Sequence, residues 1–265
     1  MSISEAIILG AVQGLTEFLP VSSSGHLVLL QKIFRIAEPV LLFDTMLHVG
    51  TLIAVFVVLR EDIWRLLRRP IQRLTGFLIL ATIPTVIIAL LFKDIVEEAF
   101  ASATYLGFAF LLTAVILLIS DRLSKKTRRT RNEYTMNWFD ALIIGILQAI
   151  AIIPGVSRSG ATLSGALSRK LDRDLAARFS FLLSIPAILG ALVLQVKDLV
   201  DDGSGIEING IPFIAGTLTA AMVGFFSVKL MLKLVRQRAL WGFALYVAVL
   251  GTAVLADRYG THIFF

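Results

Sequence analysis

"FLPVSSSGHLVLL" (residues 18–30) sets three serines, a glycine and a histidine between two apolar stretches. "IIPGVSRSGATLSGAL" (residues 152–167) does something similar in the second half of the chain. How these polar turns are read decides the fold, because everything around them is oily. The 265 residues are 57% hydrophobic and 17% charged, with a mean hydropathy of +0.85. A soluble domain carries about a quarter charged residues, so the composition is that of an integral membrane protein. The first residues, "MSISEAIILG", have no basic leader and no cleavage-like site, so residue 1 is expected in the mature protein. With no cysteine, the chain has no disulfide, no thiolate nucleophile and no cysteine-ligated metal. The net charge of +6 is read as cytoplasmic-loop arginine, not as a nucleic-acid surface.

A crossing helix needs roughly 20 mostly apolar residues. Six stretches qualify, at about 41–60, 74–93, 104–120, 175–196, 212–232 and 239–257. Two other apolar regions do not. Residues 3–19 are stopped by Pro20 and the serines, and the return from residue 27 soon meets Gln31, Lys32 and Arg35. Residues 141–153 are stopped by Pro154-Gly155, and their return meets Arg169-Lys170. Both are read as re-entrant helical hairpins that enter the membrane, turn and leave on the same side. Non-helical backbone at that depth survives only inside protein or along a wet cavity.

Orientation follows from basic residues in short loops. They gather at 60–73, at 121–136, at Arg169 to Arg173, and at Lys233, Arg236 and Arg238, whereas 93–100 and 197–207 are net acidic. Six spans and two non-crossing hairpins put every basic loop on one face and both termini outside.

A shift of 135 residues aligns the hairpins. Ala6/Ala141, Ile8/Ile143, Gly10/Gly145, Gln13/Gln148, Val21/Val156, Ser22/Ser157, Ser24/Ser159 and Gly25/Gly160 are identical, eight of twenty positions over 6–25. The predicted fold is therefore all-α, a single membrane domain over 1–265 with six spans and two re-entrant hairpins in an inverted-topology repeat. Repeat one covers about 1–120, with its hairpin at 3–36. Repeat two covers about 137–257, with its hairpin at 140–168. Three spans per half is an odd number, so the halves run upside down to each other and their broken helices meet near the midplane.

Each turn opens a short helix whose free N–H groups and positive dipole end point at the midplane, which suits an anion such as phosphate. Arg158 adds a planar charge matched to phosphate oxygens. Glu17 and His26 stand opposite Ile152 and Ala161 across the 135-residue shift, so the carboxylate and imidazole belong to the first hairpin alone. Gln13 and Glu17 share a helix face and can jointly offer oxygens to a hard divalent cation; Glu17 can equally pair with Arg158. His26 suits proton transfer near neutral pH, and Ser23 sits three residues before it, within reach around a helix N-terminus. Ser22, Ser23 and Ser24 are all candidate nucleophiles. His48 reads equally as a site neighbour or a packing residue, Asp44 as a solvated helix end, and His262 as unconnected.

The segments "QGLTEFLPVSSSGH" and "PGVSRSGAT", present in order and with the span pattern of the whole chain, resemble the bacterial undecaprenyl-diphosphate phosphatase family, also called bacitracin-resistance proteins. The resemblance implies hydrolysis of undecaprenyl diphosphate to the monophosphate, recycling the lipid carrier of peptidoglycan synthesis. It implies a magnesium or calcium ion and a plasma-membrane site open to the outer face. Carried over, the acidic motif falls on Gln13 and Glu17, which would hold the metal. The serine-histidine motif falls on Ser22, Ser23 and His26, and the arginine motif on Ser157 and Arg158. Phosphate would lie among Ser22, Ser24, Gly25, Ser157, Ser159, Gly160 and Thr162. Many members have Glu where this chain has Gln13, and a neutral amide is a poorer ligand. The partners implied are a polyprenyl diphosphate lipid and the bilayer, with a homodimer allowed.

The expected reaction is attack by Ser23, deprotonated by His26 or Glu17, with Arg158 and backbone N–H groups holding the phosphoryl oxygens. Direct attack by water is the close alternative. A phosphohistidine route of the type-2 lipid phosphatases is excluded, because the histidine it needs six residues after Arg158 is Ser164. From another class, a polyprenyl-phosphate transporter or flippase would use the same inverted repeat and midplane anion site.

Overall fold

The computed structural model describes residues 1–36, 41–125, 131–201, 210–236 and 240–264. Residues 126–130 of the basic run, Arg238 and the acidic residues 202–207 lie outside them. Among the described residues the regular structure is helical, with one isolated bridge between Arg131 and Leu171. In chain order the helices are α1 (Ile3–Thr16), α2 (Ser23–Ile33), α3 (Leu41–Val58), α4 (Arg60–Arg68), α5 (Arg73–Leu91) and α6 (Lys93–Ser102). Then follow α7 (Leu106–Lys125), α8 (Trp138–Ile150), α9 (Arg158–Ser168), α10 (Arg173–Asp201), α11 (Gly210–Arg236) and α12 (Trp241–Ala256).

Helices α5, α7, α10, α11 and α12 are each long and apolar enough to cross a bilayer. Helix α3 qualifies together with α4, which bends away from it by 79°. Their outer faces are apolar in helical rhythm. Ile79, Ile83, Ile87 and Leu90 are exposed on α5, and Ile211, Ile214, Leu218, Met222 and Phe226 on α11. Such continuous stripes belong against hydrocarbon, since water would leave them as large uncovered patches. The expected loops at 60–73 and 93–100 are largely helical, as α4 and α6. In α4 the cause is visible. Glu61 and Asp62 occupy its first turn and Arg65 and Arg68 its last, each sign placed where the helix dipole favours it.

Helices α1 and α8 begin with matching reciprocal caps, at Ser2 with Glu5 and at Asn137 with Asp140. At 14 and 13 residues they rise roughly 20 Å, short of a hydrocarbon layer about 30 Å thick. Each is followed by a turn and a returning helix of 11 residues, α2 or α9. Each is also pressed against a long helix. A Cβ on Gly10 would sit 2.3 Å from the Gly216 carbonyl oxygen, and one on Gly145 2.4 Å from that of Ala81. Helix α1 thus rests on α11 and α8 on α5, backbone to backbone. The turns are the part hydrocarbon would not tolerate, and they lie inside: Glu17, Phe18, Pro20, Val21 and Ser22 are buried, as are Pro154 to Ser157. Helix α9 is buried along Ser159 to Leu167.

The basic segments meet at one end. Arg65 pairs with Glu133 at 3.1 Å, and Arg131 and Arg169 both grip Asp140, at 2.6 and 2.8 Å. Arg73 donates to the carbonyls of Tyr134 and Met136. Arg178 pairs with Asp62 and Arg236 with Asp174, both at 2.5 Å, and Arg173 donates to the Val235 carbonyl. At the other end Gln31 holds Asp44, Thr45 meets Gln195, and Arg258 reaches Thr104.

Candidate functional site

The two turns meet tip to tip. Ser22 and Ser157 cap α2 and α9, their hydroxyls accepting from the backbone N–H of Gly25 at 3.3 Å and Gly160 at 3.0 Å. The glycines let the tips interlock. A Cβ on Gly25 would lie 2.7 Å from the Phe110 ring and 3.0 Å from the Gly155 Cα, and one on Gly160 3.3 Å from Pro20. The Ser159 hydroxyl crosses between hairpins to donate to the Leu19 carbonyl at 2.9 Å.

At the junction sits Glu17, its side chain 3% exposed. Arg158 pairs with Oε1 through Nη2. Oε2 accepts from the Ser23 hydroxyl at 2.5 Å and from Gln13 Nε2 at 2.9 Å, and His48 Nε2 stands 3.6 Å away. A carboxylate this deep is tolerable only when paired and hydrogen-bonded, and here four side chains from α1, α2, α3 and α9 serve it. Within this junction two buried atoms have no partner among the described residues, Nη1 of Arg158 and Oε1 of Gln13.

The structure therefore brings Gln13, Glu17, Ser23 and Arg158 into direct contact, as the sequence led us to expect. It does not form the expected bond between Ser23 and His26. The Ser23 hydroxyl is committed to a carboxylate, the stronger acceptor. The His26 ring turns the other way, Nδ1 lying 2.7 Å from the Ser22 carbonyl oxygen and Nε2 2.8 Å from the Tyr246 hydroxyl. Of the residues expected around phosphate, Ser24 lies 3.4 Å from the Ser22 hydroxyl and Ser157 3.3 Å from that of Ser159. Thr162 is engaged elsewhere, with the Arg158 carbonyl at 2.9 Å and the Ser180 hydroxyl at 2.5 Å. It steadies the arginine's backbone. Asp44 is not a solvated helix end but half-buried and held by Gln31, and His262 is exposed near the C-terminus.

Three participants were missed or undervalued. His48 donates from Nδ1 to the Asp44 carbonyl at 2.7 Å, which aims Nε2 at Glu17. A histidine inside an apolar span was the available signal. Tyr246 meets His26 from α12. Thr113, on α7, accepts from the Ser157 N–H at 3.0 Å and donates to the Gly155 carbonyl at 3.1 Å. No pattern marked either.

Chemically, the junction presents a hydroxyl on a carboxylate beside a guanidinium with an open donor. The oxygens of Glu17 and Gln13 suit a hard cation. No group of three or more His, Asp or Glu gathers anywhere among the described residues, so such an ion would take most of its ligands from substrate and water, as magnesium commonly does. An apolar crevice of about 530 Å³, lined by Leu15, Leu19, Val21, Trp241, Phe243 and Tyr246, flanks the first turn. A polar cavity of about 280 Å³ lies at the ion-paired end among Asp62, Glu133, Asp174 and Arg178 and has no part in this junction.

The chain is similar to known proteins over nearly its whole length. A model of the family described as "Bacitracin resistance protein BacA" matches residues 6–253. The chain is 48% identical to a protein of Carboxydothermus hydrogenoformans named undecaprenyl-diphosphatase, over 96% of this chain and 97% of that one. It is 46% identical to undecaprenyl-diphosphatase 4 of Bacillus thuringiensis (98% of each chain) and 47% identical to undecaprenyl-diphosphatase 3 of Bacillus cereus (95% of each).

Proposed function

The chain belongs to the bacitracin resistance protein family, and from that premise we propose that it hydrolyses undecaprenyl diphosphate to undecaprenyl phosphate and inorganic phosphate. It thereby returns the lipid carrier to peptidoglycan synthesis. The observation that carries the mechanism is the Ser23 hydroxyl 2.5 Å from Oε2 of Glu17, with Arg158 on Oε1 of the same carboxylate.

Ser23 Oγ attacks the terminal phosphorus in line while the bond to the bridging oxygen breaks, and its proton passes to Glu17. Glu17 returns that proton to the departing undecaprenyl phosphate. Water then attacks the phosphoserine, giving a proton to Glu17, which hands it to Ser23 Oγ as inorganic phosphate leaves. Arg158, whose Nη1 has no other partner among the described residues, and the N–H groups opening α2 and α9 hold the phosphoryl oxygens. A magnesium or calcium ion would be held by Glu17 and Gln13, and it would neutralise diphosphate charge. His26 does not take the Ser23 proton in this scheme, because both its nitrogens are engaged elsewhere. The transporter reading has no support: the relatives are named as diphosphatases, and a binding site has no need of a hydroxyl held on a carboxylate.

The chain is a multi-pass membrane protein. We place it in the bacterial plasma membrane, with six spans and the site open to the outer side. Its basic segments meet at one end, which positive-inside topology makes the cytoplasmic one, and both termini then lie outside. An inverted repeat is supported by the helix bounds, since α2 at Ser23–Ile33 and α9 at Arg158–Ser168 differ by 135 residues at both ends. One chain supplies every side chain of the junction, so a homodimer is not needed for chemistry.

Purified protein in detergent, given undecaprenyl or farnesyl diphosphate and magnesium, should release inorganic phosphate. No release with any divalent cation would remove the hydrolase reading. Ser23→Ala should cost about 10²-fold or more in kcat; activity within a few-fold of the unmodified protein would hand the attack to water.

A further inference from the structure

Ser22 occupies a backbone conformation that L-residues avoid, with φ at 68°, while its counterpart Ser157 is extended at φ −70°. Something must hold Ser22 there. Its carbonyl accepts from both the N–H and Nδ1 of His26, at 3.2 and 2.7 Å. Nδ1 must carry the proton in that bond, because a carbonyl only accepts. The opposite nitrogen is 2.8 Å from the Tyr246 hydroxyl. The two rings lie nearly parallel at 10°, and Phe110 closes the side at 79°. The other hairpin is the internal control: the positions 135 residues from His26 and Tyr246 are Ala161 and Leu111. The second turn places a glycine, Gly155 at φ 94°, in the left-handed region and is held by Thr113, so it has no strained serine and no His–Tyr brace; the first turn has both.

Resting on the hydrolase reading above, we propose that Tyr246 is a positioning residue of the site. It fixes the His26 ring on the Ser22 carbonyl and so keeps the left-handed Ser22 turn, with Ser23 behind it, aimed at Glu17 and Arg158. His26 is then chiefly the middle link of a Tyr246–His26–Ser22 brace. Tyr246 also lines the apolar crevice beside the turn, so the brace ends at the surface an isoprenoid chain would touch.

Tyr246→Phe keeps the ring and removes the hydroxyl. It should lower kcat about tenfold with KM within about twofold. The loss should depend on the strain. Glycine adopts the left-handed region freely, so in a Ser22→Gly background the same change should cost less than about twofold. The expected spectroscopic signature is independent of turnover. With only three histidines in the chain, ¹⁵N-imidazole NMR, assigned by the loss of one signal in His26→Gln, should show His26 with Nδ1 protonated. Its Nε2 resonance should move in Tyr246→Phe. An unmoved resonance, or an equal kcat loss in both backgrounds, overturns the proposal even if the enzyme is an active diphosphatase. Failure of the unmodified protein to release phosphate overturns the reading beneath it and leaves the NMR result standing by itself.

Discussion

The two hairpins are built to one plan and do different things. Both begin with a reciprocal cap, press a glycine onto a neighbouring helix, turn within protein and restart on a serine cap followed by glycine. Their charged and titratable side chains differ where the tips meet. The first contributes Glu17, Ser23 and His26, and the second contributes Arg158 from the position that matches Ser23. Each turn is also held by a long helix from elsewhere in the chain. Thr113 of α7 bonds the second turn directly, and Tyr246 of α12 reaches the first through His26. Matched scaffolding thus brings both helix N-termini to one junction, while a few unmatched side chains supply the chemistry proposed for it.

Breaking the unmatched set should have the largest effect. Arg158→Ala leaves Glu17 buried without its counter-charge and the phosphoryl oxygens without a fork, and kcat should fall about 10³-fold or more. Arg158→Lys should recover little, since an ammonium cannot reach two oxygens in one plane. Glu17→Gln should cost about 10²-fold or more, whereas Ile152→Ala, at the matching place in the other hairpin, should stay within about threefold. Phosphate-release kinetics decide both. The shared scaffold should instead respond equally in both halves. Gly10→Ala and Gly145→Ala each force a methyl onto a facing carbonyl and should destabilise the fold by roughly 1–3 kcal/mol. Gly76→Ala, with nothing within 4 Å, should leave the melting temperature unchanged or slightly raised. Unequal losses at Gly10 and Gly145 would break the symmetry of the scaffold.

The finest test lies between the matched glutamines. Gln13 donates to Glu17, but Gln148 donates to Thr85. Gln13→Glu should lower the magnesium concentration needed for half-maximal activity several-fold, because a carboxylate replaces an amide beside a cation. Gln148→Glu should change it by less than about twofold. An equal shift in both would dissociate the cation from Glu17.

Much of this was legible beforehand. The interrupted apolar runs marked both hairpins because a proline, serines and a glycine cannot continue a helix in hydrocarbon. The matched S-x-S-G motif and the one-sided Glu17 and Arg158 foretold a junction that the structure closes with a direct ion pair. Less visible were contacts made between distant segments. Nothing local distinguishes Tyr246 from other aromatics on apolar spans, and Thr113 is one threonine among many. The sequence divides His48 evenly between site and packing; in the fold the Asp44 carbonyl aims its ring at Glu17. The bond expected between Ser23 and His26 followed from spacing alone. Spacing says which residues share a helical turn and not which competing acceptor is nearer.

The order of residues by itself settled what belongs in hydrocarbon, where the chain must break, and which side chains are too polar to be there without purpose. Those are local questions, answered by transfer energies and backbone geometry. Partner choice was decided only in three dimensions. A buried hydroxyl or imidazole takes the best acceptor that packing brings within about 3 Å, and helices α7, α9 and α12 brought partners lying dozens to hundreds of residues away.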